Sequence, residues 1–302
     1  MLRQLRPFIG RKAEALLMAA AMGAGVEAGF VPVDIPQAEA DALIAFYNAT
    51  DGDSWTNNTN WLVDTTVNNW FGITVAGGHV TNINFAGNNV AGDAGSTLTP
   101  LAASLTYVRL PGNDLTVLDV SELTLLTYLN LESNTNLVVL DVSALTSLTY
   151  IRCNNTSIEV LDVSALTLLQ TLWCYANSIE VLDISALTSL TELRCGYNSI
   201  TTVDLSNLAN GVSYVSVDQN GMAQAAVNSM ISDIWTRRAD WTDATPELNV
   251  GGDTNATPTG VYQDGYPTPL AALEEVHDLI NDDDTAGIQT WALIRWNGGT
   301  AP

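Results

Sequence analysis

Two residue types recur in this chain at a spacing that could do chemistry. Cys153, Cys174 and Cys195 stand 21 residues apart, twice. Asp119, Asp141, Asp162, Asp183 and Asp204 recur in step with them, each inside (Leu/Val)-Asp-hydrophobic-Ser. An odd number of thiols at one wide period is neither a disulfide framework nor a zinc set, both of which use closely spaced pairs. Buried thiols behave as small hydrophobes, so the cysteines are expected in a core. Carboxylates one repeat apart repel each other, yet each has a serine two residues on. Local capping of turn amides is therefore the expectation, with a bound cation as the alternative. Asp51 and Asp53 in DGDSW, and the run Asp282–Asp284, read as loop and helix-end residues, with calcium again the alternative. His79 and His277 are the two histidines, and neither has a nucleophile at motif spacing. G-x-S-x-G, H-E-x-x-H and phosphate-loop patterns do not occur. The chain is expected to have no catalytic residue, no metal and no cofactor.

The same spacing defines the elements that carry these residues. Units such as LTYIRCNNTSIEVLDVSALTL (148–168) and LQTLWCYANSIEVLDISALTS (169–189) follow one another, with neighbours starting at Leu105, Leu126 and Leu190. A longer unit starts at Val80 and a degenerate one at Val212. Each reads L-x-x-L-x-(L/C)-x-x-N-x-(L/I), and the asparagine position holds Asn88, Asn113, Asn134, Asn177, Asn198 and Asn220, with Thr156 in one unit. The alternating apolar residues have strand periodicity. One unit cannot bury its apolar face alone, so stacked neighbours must share a core and a parallel sheet. This pattern resembles the leucine-rich-repeat family, in its short 21-residue, internalin-like bacterial or phage form. The resemblance implies an α/β solenoid: a horseshoe with a parallel concave sheet, a helical N-terminal cap and an α/β C-terminal cap. It also implies that the asparagine satisfies backbone groups at the turn after the strand.

The expected organisation follows from this. Residues 1–35 form a basic, then apolar arm that reads either as a signal segment or as a retained anchor. Residues 36–79 hold a helix (QAEADALIAFYNAT) and Trp55, Trp61 and Trp70, and are similar to a plant-type N-terminal cap without its cysteine pair. Repeats fill 80–222. Residues 223–302 alternate helix and strand, with Val227, Met230, Ile231, Ile234 and Trp235 along one side of the first helix.

Strand alternation sorts the repeat residues. The fourth and sixth positions point inward, and the third, fifth and seventh lie on the sheet face. That face collects Tyr107, Arg109, Tyr128, Asn130, Tyr150, Arg152, Trp173, Tyr175 and Arg194, with Tyr197 just beyond its strand. The chain has only 10 basic residues against 33 acidic ones, for a net charge of −23. Three of its arginines nevertheless fall at fifth positions of these strands, and Trp173 is the one tryptophan of the regular repeats. Tyr, Trp and Arg are the residues enriched where binding energy concentrates. These ten residues are the expected ligand-binding set, for a protein or a glycan. Cross-strand stacking that merely stabilises the sheet is the competing account.

The strong negative charge argues against a nucleic-acid partner, because phosphate binding needs clustered cations. No stretch has the apolar length of a transmembrane span. The function expected is non-enzymatic recognition, as an adhesin-like module that is secreted or at a cell surface. The alternative is a phage tail or capsid accessory protein, anchored in a larger assembly through residues 1–35 and displaying the repeats on the virion. A cytoplasmic scaffold ranks behind both.

Overall fold

The computed structural model describes residues 32–209, 211–223, 225–227, 229–230, 233, 247–249 and 294–295. Most of the expected N-terminal arm and of the C-terminal region, including Ile231, Ile234, Trp235, His277 and Asp282–Asp284, lies outside the described residues. The chain divides into two compact units, Met1–Leu145 and Thr146–Pro302.

The first unit opens with helix α1 (Gln37–Ala49), whose Ala40, Leu43, Phe46 and Tyr47 are buried at helical spacing. Trp55, Trp61 and Trp70 are buried beside it. Phe85, an inward residue of the first repeat, meets Trp55 at 4.8 Å, Trp61 at 5.7 Å and Phe46 at 6.1 Å between ring centroids. The indole N–H groups donate to backbone carbonyls of Thr50, Phe71 and Asp64. Large rings thus bury their area without stranding a donor. Glu39 is a buried acid of α1. Its carboxylate accepts the Val80 N–H at 2.8 Å and meets His79 Nδ1 at 2.5 Å, tying the helix to the sheet.

Strands β1 (Ile73–Ala76) and β2 (His79–Asn84) pair antiparallel; β4 (Tyr107–Arg109) and β6 (Tyr128–Asn130) continue the sheet in parallel. Between them in sequence, β3 (Ala91–Asp93) and β5 (Asp114–Val117) form a separate parallel pair. In the second unit β7 (Tyr150–Arg152), β8 (Thr171–Trp173), β9 (Glu192–Arg194) and β10 (Tyr214–Ser216) run parallel and in register. Two further strands, β11 (Glu247–Asn249, parallel to β10) and β12 (Ile294–Arg295, antiparallel to β11), match the strands expected near the C-terminus. Val227 and Met230, on the expected helix, are fully buried. The fold is a parallel-strand β-solenoid. Its core is a ladder of inward residues: Leu105, Leu126, Leu148, Leu169 and Leu190 open the repeats, and Val108, Leu129, Ile151, Leu172 and Leu193 sit mid-strand.

What closes each turn is the asparagine ladder. Asn198 donates through Nδ2 to the carbonyl of Cys195 in its own repeat and of Cys174 in the preceding one, both at 3.0 Å. Its Oδ1 accepts the N–H of Ile179 at 3.0 Å. Asn177 repeats this with Cys174, Cys153 and Ile158, and Asn220 with Val217, Cys195 and Ile200. In the first unit Asn113 and Asn134 do the same. The residue before each rung (Gly87, Gly112, Ser133, Asn155, Ala176, Tyr197 and Gln219) has φ between 53° and 63°. A left-handed residue with a Cβ costs about 1–2 kcal/mol. The hydrogen bonds of the next side chain hold it there.

Thr156 offers one hydroxyl where the other rungs offer an amide. It lies 2.8 Å from the Cys153 carbonyl and 2.6 Å from Asn177 Oδ1, and its single proton serves one of them at a time. Asn198→Ala should leave the Ile179 amide without its acceptor and remove one of two asparagine donors from each of the Cys174 and Cys195 carbonyls, lowering stability by about 1–3 kcal/mol in chemical denaturation. Thr156→Asn should raise it by about 1 kcal/mol in the same measurement.

Candidate functional site

In the second unit, register brings the expected face residues into one stack. Arg152 on β7, Trp173 on β8 and Arg194 on β9 are direct cross-strand neighbours. The guanidinium carbon of Arg152 lies 3.4 Å from the Trp173 ring centroid, and that of Arg194 lies 4.1 Å from it on the opposite side. Arg194 also sits 4.3 Å from the Tyr214 ring, and Arg152 5.3 Å from Tyr150. Tyr175 tilts against Trp173 at 6.4 Å. Each cation–ring contact contributes about 0.5–2 kcal/mol, depending on how dry it is. Arg194 is held in plane by Glu192, whose Oε1 accepts from Nε at 2.8 Å and lies 2.7 Å from Nη2.

Alternating cations and rings therefore form a half-buried ridge whose flat faces are already occupied by one another. Guanidinium edges and ring edges remain for contact. Trp173 Nε1 and both polar atoms of Asn154 are buried without a hydrogen-bond partner. Each such group costs about 1–3 kcal/mol, a cost that packing of the repeats alone does not explain. The ridge ends where Ser216 and Gly196 are buried. A Cβ on Gly196 would fall 2.3 Å from Asp218 Oδ1, so glycine is required where Asp218 folds over to accept the Ser216 hydroxyl.

In the first unit Tyr107 and Tyr128 stack at 4.3 Å with an interplanar angle of 12°. Burial, reinforced by Tyr128, pushes the Tyr107 phenol above its ordinary range. Arg109 donates to Asn84 Oδ1 at 3.1 Å.

The structure thus brings together Tyr150, Arg152, Trp173, Tyr175 and Arg194 in one unit, and Tyr107 with Tyr128 in the other. Three residues differ from the sequence expectation of an outward side chain: Asn130, Asn154 and Ser216. Asn130 is buried, with 2% of its surface exposed, and its Oδ1 accepts the Glu132 N–H at 3.0 Å. Asn154 is fully buried. The short Asn130 carboxamide folds back to local backbone, whereas that of Asn154 is buried without a hydrogen-bond partner. Tyr197 is 59% exposed but leaves the sheet through its left-handed turn. Glu192 and Tyr214 belong to the stack although neither stood in the expected binding set. Their signal was positional, since both occupy the third position of strands flanking the stack.

The other recurring groups are structural. Cys153, Cys174 and Cys195 are free and fully buried. Burial pushes the Cys153 thiol up to about 12 and raises the other two as well. Each exposed ladder aspartate takes the amide of the serine two residues on, as Asp183 does with Ser185 N at 3.0 Å and Oγ at 2.6 Å. The serine hydroxyl, then its amide, holds Asp119, Asp162, Asp183 and Asp204 below the usual carboxylate range. A lowered folded-state value contributes stability above the ordinary range, which is lost as pH falls through the folded value. Among the described residues no three metal-ligating side chains converge.

The folded chain at pH 8 should leave its thiols unreactive to a chromogenic disulfide, and all three should react after denaturation. A double-mutant cycle of Arg152→Ala and Trp173→Ala should return a coupling of about 0.5–2 kcal/mol in denaturation experiments.

The family-model match and the solved structures point to differently named repeats. Residues 105–131 and 132–156 match the LVIVD repeat. No curated protein matches the chain. Among solved structures, the functional domain of InlJ from Listeria monocytogenes, described as including a cysteine ladder, is 25% identical with a TM-score of 0.42, over 57% of this chain and 39% of that one. An internalin (inlF) from the same organism is 20% identical with a TM-score of 0.47, over 76% and 61% respectively. The chain thus spans under two thirds of the length of either. A plant ice-binding protein is 16% identical with a TM-score of 0.52, over 63% of this chain and 74% of that one. That last likeness shows a shared repeat-solenoid fold and nothing about ligands. With the ladder geometry it makes the chain a leucine-rich-repeat-like solenoid.

Proposed function

We propose that this chain is a non-enzymatic recognition module that binds a protein ligand through the sheet face of its repeats, outside the cell or at its surface. The ridge of Tyr150, Arg152, Trp173, Tyr175 and Arg194 is the centre of binding, with Tyr107, Arg109, Tyr128 and the exposed Tyr197 as further contacts. Asn130 acts by shaping the face rather than by touching the ligand. The observation that carries this reading is the double-sided stack on Trp173. Rings and arginines are concentrated on one face of a chain otherwise poor in cations, and these are the side chains that anchor protein interfaces.

The same stack favours protein over glycan as the ligand. Sugar recognition uses an open ring face, and both faces of Trp173 are covered by guanidinium groups. A protein surface can instead meet the ridge edge-on, with carboxylates or carbonyls on the guanidinium edges. In the domain layout that goes with this reading, residues 36–79 cap the repeats of 80–222 at one end and residues 223–302 at the other.

The test is selection of binders to the full chain from a displayed random-peptide library, with an array of neutral and acidic oligosaccharides in parallel. Selected peptides should lose at least tenfold in affinity with Trp173→Ala combined with Arg152→Ala, while circular dichroism and melting temperature show a folded chain. Peptides that bind the double variant undiminished, or binding confined to the oligosaccharides, would reject this assignment.

A further inference from the structure

A second feature lies at the edge of the first unit's sheet and does not rest on the Trp173 ridge. An open groove there is lined by Phe71, Gly72, Thr74, Asn84, Ala86 and Arg109. It forms because β1 begins only at Ile73, opposite Ile83, while β2 runs on to Asn84 beside Arg109 of β4. At Gly72 the chain turns with φ +81°, and the Asn84 N–H donates to its carbonyl at 2.8 Å. A Cβ at Gly72 would lie 2.2 Å from the Phe85 ring and 2.6 Å from the Asn84 carbonyl oxygen. Only glycine permits this wall.

The charge in the groove is unbalanced. Arg194 has Glu192 as its counter-ion. Arg109 has a neutral acceptor, Asn84 Oδ1, and among the described residues no carboxylate pairs with it. An arginine without a carboxylate partner among the described residues, facing an open groove of a chain with net charge −23, stands out. The asparagine carbonyl orients the guanidinium and leaves the asparagine NH2 as a donor beside it, with the exposed Thr74 hydroxyl on the same wall. Several donors around one guanidinium suit the two oxygens of a carboxylate. Phe71, 36% exposed, adds an apolar wall for the carbon stem that carries it.

We propose that this groove binds the side-chain carboxylate of an acidic peptide segment of a partner protein, with Arg109 as the anchoring cation and Asn84 as its positioning residue. The full chain is titrated with the capped peptide Ac-Gly-Glu-Phe-Gly-NH2 and with its glutamine counterpart. Binding is followed by calorimetry and by the side-chain Nε–Hε resonances of the arginines. The glutamate peptide should shift the Arg109 resonance saturably and the glutamine peptide should not. Arg109→Gln should weaken binding about tenfold or more, with Arg109→Lys between it and wild type, both folded by circular dichroism. Undiminished binding by Arg109→Gln overturns the proposal. So does a glutamate peptide that moves Arg152 or Arg194 and leaves Arg109 still, which would assign the carboxylate to the ridge. A galacturonate trimer that shifts Arg109 where the peptide does not would replace the peptide by an acidic glycan. Should Arg109→Gln fail to fold, the identity of the arginine that moves in the wild-type titration decides the matter.

Discussion

The repeats of this chain reverse direction at the end of short strands, mostly of three residues, through a residue held in a left-handed conformation just before the ladder residue, asparagine in all but one rung. That turn would leave backbone carbonyls and amides of two successive coils without partners inside the core, where an unmet polar group is costly. One carboxamide, with two donors and an acceptor in fixed geometry, satisfies them together. The strands are too short to hold one another by ladder bonds alone. Asparagine side chains therefore set the register as much as the strands do, and in-register strands are what bring Arg152, Trp173 and Arg194 side by side. The ridge of stacked arginines and rings is a by-product of the turn chemistry.

Electrostatics then distinguishes the faces of the repeats. On the far side, aspartates are spaced by one repeat and exposed, and each accepts hydrogen bonds from its own serine. Local capping lets like charges stack at repeat spacing in water, which screens them. On the sheet face the scarce cations are placed between rings. A guanidinium loses hydration there and recovers attraction from the ring quadrupole, and the flat stack leaves its edge donors directed along the surface. The acidic background makes such a ridge, and the Arg109 groove, the places where a negatively charged partner meets least repulsion.

The sequence by itself determined the repeat, its period, the inward and outward positions and the ladder residues. These follow from side-chain periodicity and hydrogen-bonding chemistry, which are local properties repeated seven times, and a repeated local rule leaves little for long-range packing to alter. The burial of Cys153, Cys174 and Cys195 and the capping of the aspartates by their serines were both legible on that basis. Only the tertiary structure decided what the outward side chains do with one another. Alternation cannot tell that Asn130 folds back onto the Glu132 amide, or that Trp173 has both faces closed. It also cannot tell that Arg109 reaches toward the sheet edge and Asn84 rather than joining a stack. Those outcomes depend on rotamers and, for Trp173 and Arg109, on neighbours 21 and 25 residues away, with small energy differences between them. They became fixed only once the coils were stacked in register.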